Sequence, residues 1–158
     1  MKKILLVFLM IYFSKTNLMA HCQVPCGIYD DGLRILSMME DYKTIDKAMK
    51  KILELAKKSD PKSDNQMVRW VNTKNEHATN IQNTVSAYFL TQRLKESNEN
   101  YTEQLILLHK ILVASMVCKQ TVDRENTKLG LELLNSFSEI YLDKHGMKHL
   151  ENLTSRNK

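Results

Sequence analysis

The sequence is poor in the residues that make tight turns. Four glycines and two prolines are spread over 158 residues, of which 43% are hydrophobic and only 7% aromatic. A β-sandwich or barrel needs many short strands joined by turns rich in Gly and Pro, so this composition argues against both and favours a few long helices. The length corresponds to one domain, with or without a short processed segment. We therefore expect an all-α protein.

Cysteine is also scarce, and neither sign of charge dominates strongly. Three cysteines are too few for a disulfide framework but enough for a metal or redox site. The formal charge of +5 suggests a nucleic-acid or membrane-surface role. That suggestion holds only if all of the basic residues belong to the mature protein.

Residues 1–20 have the order of a secretory leader. Lys2 and Lys3 precede an apolar run from residue 4 to residue 13, and the small residue Ala20 suits the position before a cut. The run is shorter than the roughly 20 apolar residues that span a bilayer, although a retained anchor is an alternative. We expect cleavage between Ala20 and His21 and export to the periplasm or the outside of the cell. Removal of a pro-segment in the cytoplasm is the other way to reach the same terminus.

Cleavage changes the meaning of the charge. It removes Lys2, Lys3 and Lys15 and no acid, so the formal charge falls from +5 to +2. No basic run with interleaved aromatic residues remains to support nucleic-acid binding. We expect no nucleic-acid partner, and no membrane partner after processing.

Four amphipathic segments follow the leader. Apolar residues recur at steps of three and four, which predicts helices over about 33–58, 63–95, 101–120 and a last one through residues 129–141. Asp31 is the expected N-cap of the first helix, and Ser63 with Gln66 has the spacing of a capping box for the second. The connections are too short to carry the chain back along a helix, so consecutive helices must be antiparallel. We predict an up-down-up-down four-helix bundle over residues 30–145 and a polar tail over 146–158.

The apolar stripes are expected to form the core of this bundle. They include Leu105 and Met116 in the third helix and Leu129 in the fourth. The lysine-rich face of the first helix is expected to be solvated.

The proposed mature chain begins with a cluster of metal-binding groups. Cleavage before His21 leaves a free α-amine, whose pKa of about 7.7–8.0 lets it lose its proton to a metal more easily than a lysine. This amine and the amide nitrogen of Cys22 close a five-membered ring with a metal, and the amide nitrogen and thiolate of Cys22 close a second one. Cys26 can supply the fourth corner of a square if the chain doubles back, which Pro25 and Gly27 favour.

The donor set indicates which metal is bound. A planar set of two nitrogens and two sulfurs favours Ni(II) or Cu(II), whereas structural zinc prefers a tetrahedron. Two thiolates and a deprotonated amide also stabilise a higher oxidation state, and the imidazole of His21 is placed to bind above the square. The set is therefore suited to one-electron cycling of nickel between Ni(II) and Ni(III).

The start of the mature chain resembles the nickel hook of nickel-containing superoxide dismutases in six residues, namely His21, Cys22, Pro25, Cys26, Gly27 and Tyr29. The four-helix pattern behind it resembles the same family's bundle, so the resemblance covers essentially the whole mature chain. We call residues 21–29 the hook.

This resemblance implies the disproportionation of superoxide to O2 and H2O2, with a nickel ion as cofactor. It implies as ligands the amine and imidazole of His21, the amide and thiolate of Cys22 and the thiolate of Cys26. It further implies that Tyr29 guards the access channel and that the protein assembles as a homohexamer.

The sequence departs from the family where the axial histidine is oriented. In well-known members an arginine of the second helix and an acid of the first orient that histidine. A rough alignment puts His77 at the arginine position and Leu36 near the acid. His21 must then be oriented differently, by His77 with Glu40 or Asp41 nearby, or be held less tightly. The alternative for His77 is a plain residue of the helix surface.

Two other functions are compatible with the same residues. An exported helical protein could hold or deliver nickel or copper without turnover, and it would lack oxidised nickel and catalytic loss of superoxide. A disulfide between Cys22 and Cys26 would instead staple a purely structural bundle, which would bind no nickel.

The remaining candidate residues lie outside the hook. Cys118 is expected to be a buried thiol and His109 a core or boundary residue. The i, i+4 pair His145 and His149 is a weak candidate for a metal site because Gly146 lies between them. Arg34 is a candidate for guiding an anionic substrate.

Overall fold

Five α-helices and one π-helical segment make up residues 30–156, the part of the chain that the computed structural model describes. They are α1 (Asp31–Leu55), α2 (Pro61–Asn83), the π-helical segment (Thr84–Arg93), α3 (Tyr101–Gln120), α4 (Glu125–Tyr141) and α5 (Lys144–Arg156). No strand occurs in residues 30–156, and the all-α prediction is confirmed. The leader and the hook lie outside the described residues.

The first four helices form a bundle. Each packs against the next along the chain, and α4 returns to contact α1, which closes a ring of four helices. The connections over residues 56–60, 94–100 and 121–124 are short, as predicted. The last helix, α5, packs against α1.

The helix starts differ by one to three residues from the prediction. The N-cap of α1 is Asp30, whose side chain accepts a hydrogen bond from the amide of Leu33 at 3.0 Å. The N-cap of α2 is Asp60, which accepts from the amide of Ser63 at 3.0 Å and from its hydroxyl at 2.6 Å. An acid followed by Pro61 therefore starts the second helix, because proline needs no amide partner in the first turn.

The polar tail expected over residues 146–158 is largely helical. Helix α5 begins at Lys144 and runs through Gly146. Leu150 is 5% exposed and belongs to the core, and Leu142 and Leu153 pack against that core. The 3–4 spacing of a few leucines is enough to hold this helix on α1, even though most of its residues are polar.

A buried tyrosine joins three helices at the centre of the bundle. The hydroxyl of Tyr42 donates to the carbonyl of Ile111 at 3.2 Å and lies 2.8 Å from the Ser115 hydroxyl oxygen. Its ring lies against Gly130 of α4 so closely that a Cβ at that position would overlap the ring. Gly130 therefore makes room for a direct polar link between α1 and α3.

Helix α3 is apolar on more than one side. Leu105, Ile106, Val113 and Met116 are between 39% and 48% exposed. Of the described helices, α3 alone has the length and mean hydropathy of a membrane span, but a third of that window is buried between its neighbours. The prediction of Leu105 and Met116 as core was wrong because a helix that is apolar all round gives no periodicity from which to choose the buried face. Leu129 of α4, at 47% exposed, was also wrongly placed in the core.

Candidate metal centre and the bundle end that adjoins it

The predicted nickel ligands and the predicted gating residue all lie outside the described residues. These residues are His21, Cys22, Cys26 and Tyr29. In residues 30–156, no group of three or more His, Cys, Asp or Glu side chains is arranged to hold a metal ion. The amine, imidazole, amide and thiolates of the hook match the donor preference of planar nickel, and this assignment remains a prediction.

The first described residue, Asp30, lies directly after the hook and is held at both carboxylate oxygens. One oxygen caps α1, and the other pairs with the imidazole Nε2 of His149 on α5. Burial alone would raise the pKa of Asp30, but the hydrogen bonds from His149 and from the amide of Leu33 outweigh it and leave the pKa below its ordinary value. Asp30 therefore connects the start of α1, directly after the hook, to α5.

The next residue, Asp31, is the centre of a network that we call the Asp31 cluster, comprising Asp31, Tyr88, Arg93 and Tyr141. One carboxylate oxygen accepts from the Tyr88 hydroxyl. The other accepts from Arg93 Nη2 at 2.5 Å and Nε at 3.1 Å, and from the Tyr141 hydroxyl at 2.9 Å. The Asp31 side chain is 15% exposed. Its start-of-helix position was predicted to be a cap, whereas the side chain instead ties α1 to the π-helical segment and α4.

The three groups that donate hydrogen bonds to Asp31 all have raised pKa values. Burial raises the pKa of Tyr141 to about 12, and the Asp31 carboxylate adds to the effect. Burial likewise raises the pKa of Tyr88. The hydrogen bond to Asp31 raises the pKa of Arg93 further above its ordinary range. Both tyrosines thus remain protonated donors, and the arginine remains charged, at any physiological pH.

The π-helical segment is what brings two of these donors to one carboxylate. A π-helix bonds each amide to the carbonyl five residues before it. The Leu94 amide donates to the Phe89 carbonyl at 2.8 Å, across five residues. The wider turn brings residues five apart closer to one side of this segment than an α-helix would.

Two guanidinium groups lie beside the Tyr88 ring of the same network. The Arg34 guanidinium carbon lies 5.6 Å from the centre of the Tyr88 ring, and that of Arg93 lies 5.9 Å from it. Both distances are within the range of a cation–π interaction. Arg34 is exposed and belongs to the first turn of α1, so the predicted steering residue lies at the end of the bundle to which the hook is attached.

A polar cleft of about 530 Å³ opens at this end of the bundle. It is lined by parts of α1, the π-helical segment and α5, among them Asp31, Arg93, His145 and His149. His149 contacts Asp30, and His145 is exposed. The two histidines thus share a cleft, but the weakly predicted metal pair has no third ligand in the described residues.

The residues expected to orient His21 meet between α1 and α2. His77 Nδ1 lies 2.6 Å from Asp41 Oδ1, and the Asp41 side chain is 11% exposed. Burial raises the pKa of Asp41, and the hydrogen bond with His77 opposes that effect only in part. Of the two acids considered from the sequence, Asp41 is the partner of His77, whereas Glu40 is exposed.

Two further expectations have opposite outcomes. Cys118 is fully buried, and burial raises the pKa of its thiol to about 11, as expected for an inert core cysteine. His109 is exposed on α3 and was wrongly assigned to the core or its boundary. The backbone carbonyl of Cys118 accepts a 2.7 Å hydrogen bond from the Lys74 ammonium, which also caps Lys119 at 2.7 Å.

Sequence reasoning missed the Asp31 cluster because its members are far apart in the chain. The partners of Asp31 lie 57, 62 and 110 residues away from it. The available signal was the pair of acids Asp30 and Asp31 at a helix start, where a single acid is sufficient for capping.

The described residues define a class first: an all-α helical bundle, whose first helix follows directly after the predicted hook. The sequence model described as nickel-containing superoxide dismutase matches residues 16–145, which include the hook and the first four helices. The chain belongs to the nickel-containing superoxide dismutase family. It is therefore an oxidoreductase that disproportionates superoxide and uses nickel. Neither the curated proteins nor the solved structures contain a match.

Proposed function

We propose that the nickel of this superoxide dismutase is held by the hook after cleavage between Ala20 and His21. The ligands would be the amine and imidazole of His21, the amide and thiolate of Cys22 and the thiolate of Cys26. When bound, the nickel supplies one-electron exchange with superoxide. The observation that carries this proposal is the family match over residues 16–145, since it includes the only cluster of His and Cys in the sequence with chelating spacing.

The test is superoxide turnover by nickel-loaded mature protein and by a variant with one extra residue before His21. The extra residue removes the α-amine from its chelate position, so the variant should lose both nickel and turnover. Full activity of the extended variant would refute the amine ligand. Nickel binding without turnover by the unextended protein would instead favour a carrier.

The His77–Asp41 pair is proposed to orient the imidazole of His21. Asp41 lies eleven residues along α1 from Asp30, a distance of about 16 Å. Nine extended residues reach about 30 Å, so a hook folded back along α1 can bring His21 to this pair. The 2.6 Å hydrogen bond fixes the His77 ring, which leaves its other nitrogen as the candidate contact. His77→Gln should keep nickel bound but broaden the spectroscopic signature of axial nitrogen on oxidised nickel.

Access of the anionic substrate is proposed to depend on Tyr29 and on Arg34. Arg34 places a positive charge at the end of the bundle where the hook begins, next to the Arg93–Asp31 ion pair. Such charges raise the encounter rate with an anion, and the gain falls as salt screens them. Arg34→Gln should therefore lower kcat/KM at low ionic strength and have little effect at high ionic strength. Tyr29→Phe should retain nickel and alter the kinetics.

Export is proposed from the leader alone. Its basic start, apolar run and small residue before the cut are typical of a segment that is removed during secretion. Fractionation of the producing cell, with determination of the N-terminal residue in each fraction, tests this. Mature protein starting at His21 found only in the cytoplasm would favour a pro-segment.

A homohexamer is proposed as the assembly. The exposed apolar residues of α3, including Val113 and Met116, support an interface between copies because such a face is stabilised when it is covered. Val113→Glu should lower the mass of the native assembly. Val68→Glu is the control, since Val68 is 60% exposed and lies on α2 and not on α3. An unchanged mass for Val113→Glu would exclude this face as an interface.

A further inference from the structure

We propose that the π-helical segment and Asp31 act together as a clamp that fixes the base of the hook, so that Asp31, Tyr88 and Arg93 are positioning residues for the nickel centre. This inference rests on the proposal that the hook binds nickel. It assigns a role to an irregular helix that neither the family match nor the predicted ligands explain.

The first step of the argument is the winding of the segment. Tyr88 and Arg93 are five residues apart, and both donate to Asp31. In an α-helix the neighbours on one face are three and four residues apart, and residues five apart point in different directions. The wider turn of a π-helix, with hydrogen bonds across five residues, brings residues five apart closer to one side. The unusual winding thus brings the Tyr88 phenol and the Arg93 guanidinium to the same carboxylate, that of Asp31.

The second step is the place of that carboxylate in the chain. Asp31 lies two residues after Tyr29, the last residue of the hook, and Asp30 between them caps α1 and pairs with His149. The two acids join the exit point of the hook to α4, α5 and the π-helical segment at once. The backbone of the hook continues directly into these two acids, so their contacts fix the position at which the hook joins the bundle.

The third step is a comparison with Asp46, which has similar chemistry on the same helix. Asp46 accepts two 2.7 Å hydrogen bonds from Arg124, from Nε and from Nη2, and one of 3.2 Å from the Thr127 hydroxyl. Its partners are Arg124, the N-cap residue of α4, and Thr127 in the first turn of that helix. It lies 15 residues further along α1, or about 22 Å from Asp31. Asp46 is therefore a matched control that carries a similar network away from the hook.

The experiment compares Asp31→Asn and Asp46→Asn in the mature protein. Each loses a charge-assisted network, so both should lower the midpoint of urea unfolding. Only Asp31→Asn should weaken nickel binding, by about tenfold in competition with a chelator, and broaden the electron paramagnetic resonance lines of oxidised nickel. Equal nickel affinity and equal line widths in the two variants would overturn the proposal.

A second variant keeps the test decisive if Asp31→Asn does not fold. Tyr88→Phe removes one donor but keeps the ring, which packs edge-on against Phe89 with centroids 5.0 Å apart. Tyr88→Phe should also weaken nickel binding and broaden the resonance lines, but by less than Asp31→Asn does. Nickel affinity and line widths identical to those of the unsubstituted protein would overturn the proposal.

A measurement on the metal-free protein separates the clamp from the proposed ligands. Amide hydrogen exchange at residues 32–34 should be faster in Asp31→Asn than in Asp46→Asn, because the clamp holds the first turn of α1 with or without metal. Unchanged exchange would refute the clamp. Failure of the unsubstituted mature protein to bind nickel would refute the proposed ligands, while leaving this exchange result to decide whether the clamp exists.

Discussion

Two carboxylates on α1, Asp31 and Asp46, hold opposite ends of the bundle together with similar hydrogen bonds. Asp46 meets Arg124, the N-cap residue of α4, and Thr127 in the first turn of that regular helix. Asp31 meets Arg93 and two tyrosines, and needs the π-helical segment to do so. The bundle thus has an ion pair with a regular helix away from the hook and an irregular helix where the hook begins. Irregular winding of this kind is frequent at functional sites.

The largest expected difference between the two ends comes from the hook itself. Cys22→Ser and Cys26→Ser each remove a thiolate that the resemblance assigns to nickel, so both should lose nickel and reduce superoxide turnover to the uncatalysed rate. Metal analysis and a turnover assay on the same sample check this. Cys118→Ser is the control, since Cys118 is fully buried and 92 residues after Cys26. Nickel retained in full by either hook variant would contradict the assignment.

The next largest effect is expected between the two ends, in the core. Gly130→Ala places a Cβ where the Tyr42 ring lies, and the overpacking should cost about 1–3 kcal/mol of the free energy of unfolding. Urea unfolding measures this. Gly146→Ala is the control because its Cβ would meet mainly the Leu142 side chain, at 3.2 Å, in an outer helix. Equal stability of the two variants would show that the Tyr42 ring shifts at little cost.

A smaller effect is expected on the pH dependence of stability, to which two acids of α1 contribute with opposite signs. The first of these acids is Asp46. The hydrogen bond from Arg124 holds the pKa of Asp46 below its ordinary value of 3.8. The stability that Asp46 contributes is therefore present above that value and is lost as the pH falls through the lower folded-state pKa. Below about pH 4, the free energy of unfolding of Asp46→Asn should fall less steeply with pH than that of the unsubstituted protein. Urea midpoints from pH 7 to pH 3 measure the slope.

Asp41 should show the opposite sign in the same measurement. Burial raises its pKa, so the folded state binds the proton more tightly than the unfolded chain does. This acid adds stability as the pH falls from above its folded-state pKa toward 3.8. Asp41→Asn should remove that gain. If the urea midpoints of Asp41→Asn and Asp46→Asn changed with pH in the same way, the opposite pKa shifts of the two acids would be contradicted.

The smallest effect is expected on the solvated lysine face. Lys51 and Glu54 form a 2.7 Å ion pair, three residues apart, with side chains 42% and 45% exposed. Lys51→Ala should change the free energy of unfolding by less than about 1 kcal/mol at physiological salt. A larger loss would mean that this face is covered in the assembled protein.

Much of the fold could be predicted because its signals are local. The 3–4 spacing of apolar residues indicated the helices, and the short connections indicated the antiparallel bundle. The pattern did not decide which face of α3 is buried, since Leu105 and Met116 are as apolar as the residues that are buried. It also missed α5, where the few leucines around Leu150 are hidden among polar residues.

The candidate site likewise has parts that could be predicted from local sequence and parts that could not. The hook is a local motif, and its residues were identified from spacing, bond counting and resemblance. The His77–Asp41 pair was partly predicted, with Asp41 as one of two acids. The Asp31 cluster depends on contacts across the whole bundle and on a π-helical turn. Sequence periodicity does not predict such a turn, because a run such as residues 84–93 has the composition of an ordinary helix.

The central claim is that nickel is bound at an N-terminus created by cleavage before His21. Mass spectrometry of the purified protein under non-denaturing conditions tests this most directly, because it reports the terminus, the metal and the number of subunits together. We predict chains that start at His21 and carry one nickel each, with no disulfide between Cys22 and Cys26. Nickel-free chains with that disulfide, or nickel bound to chains that still carry Ala20, would contradict it.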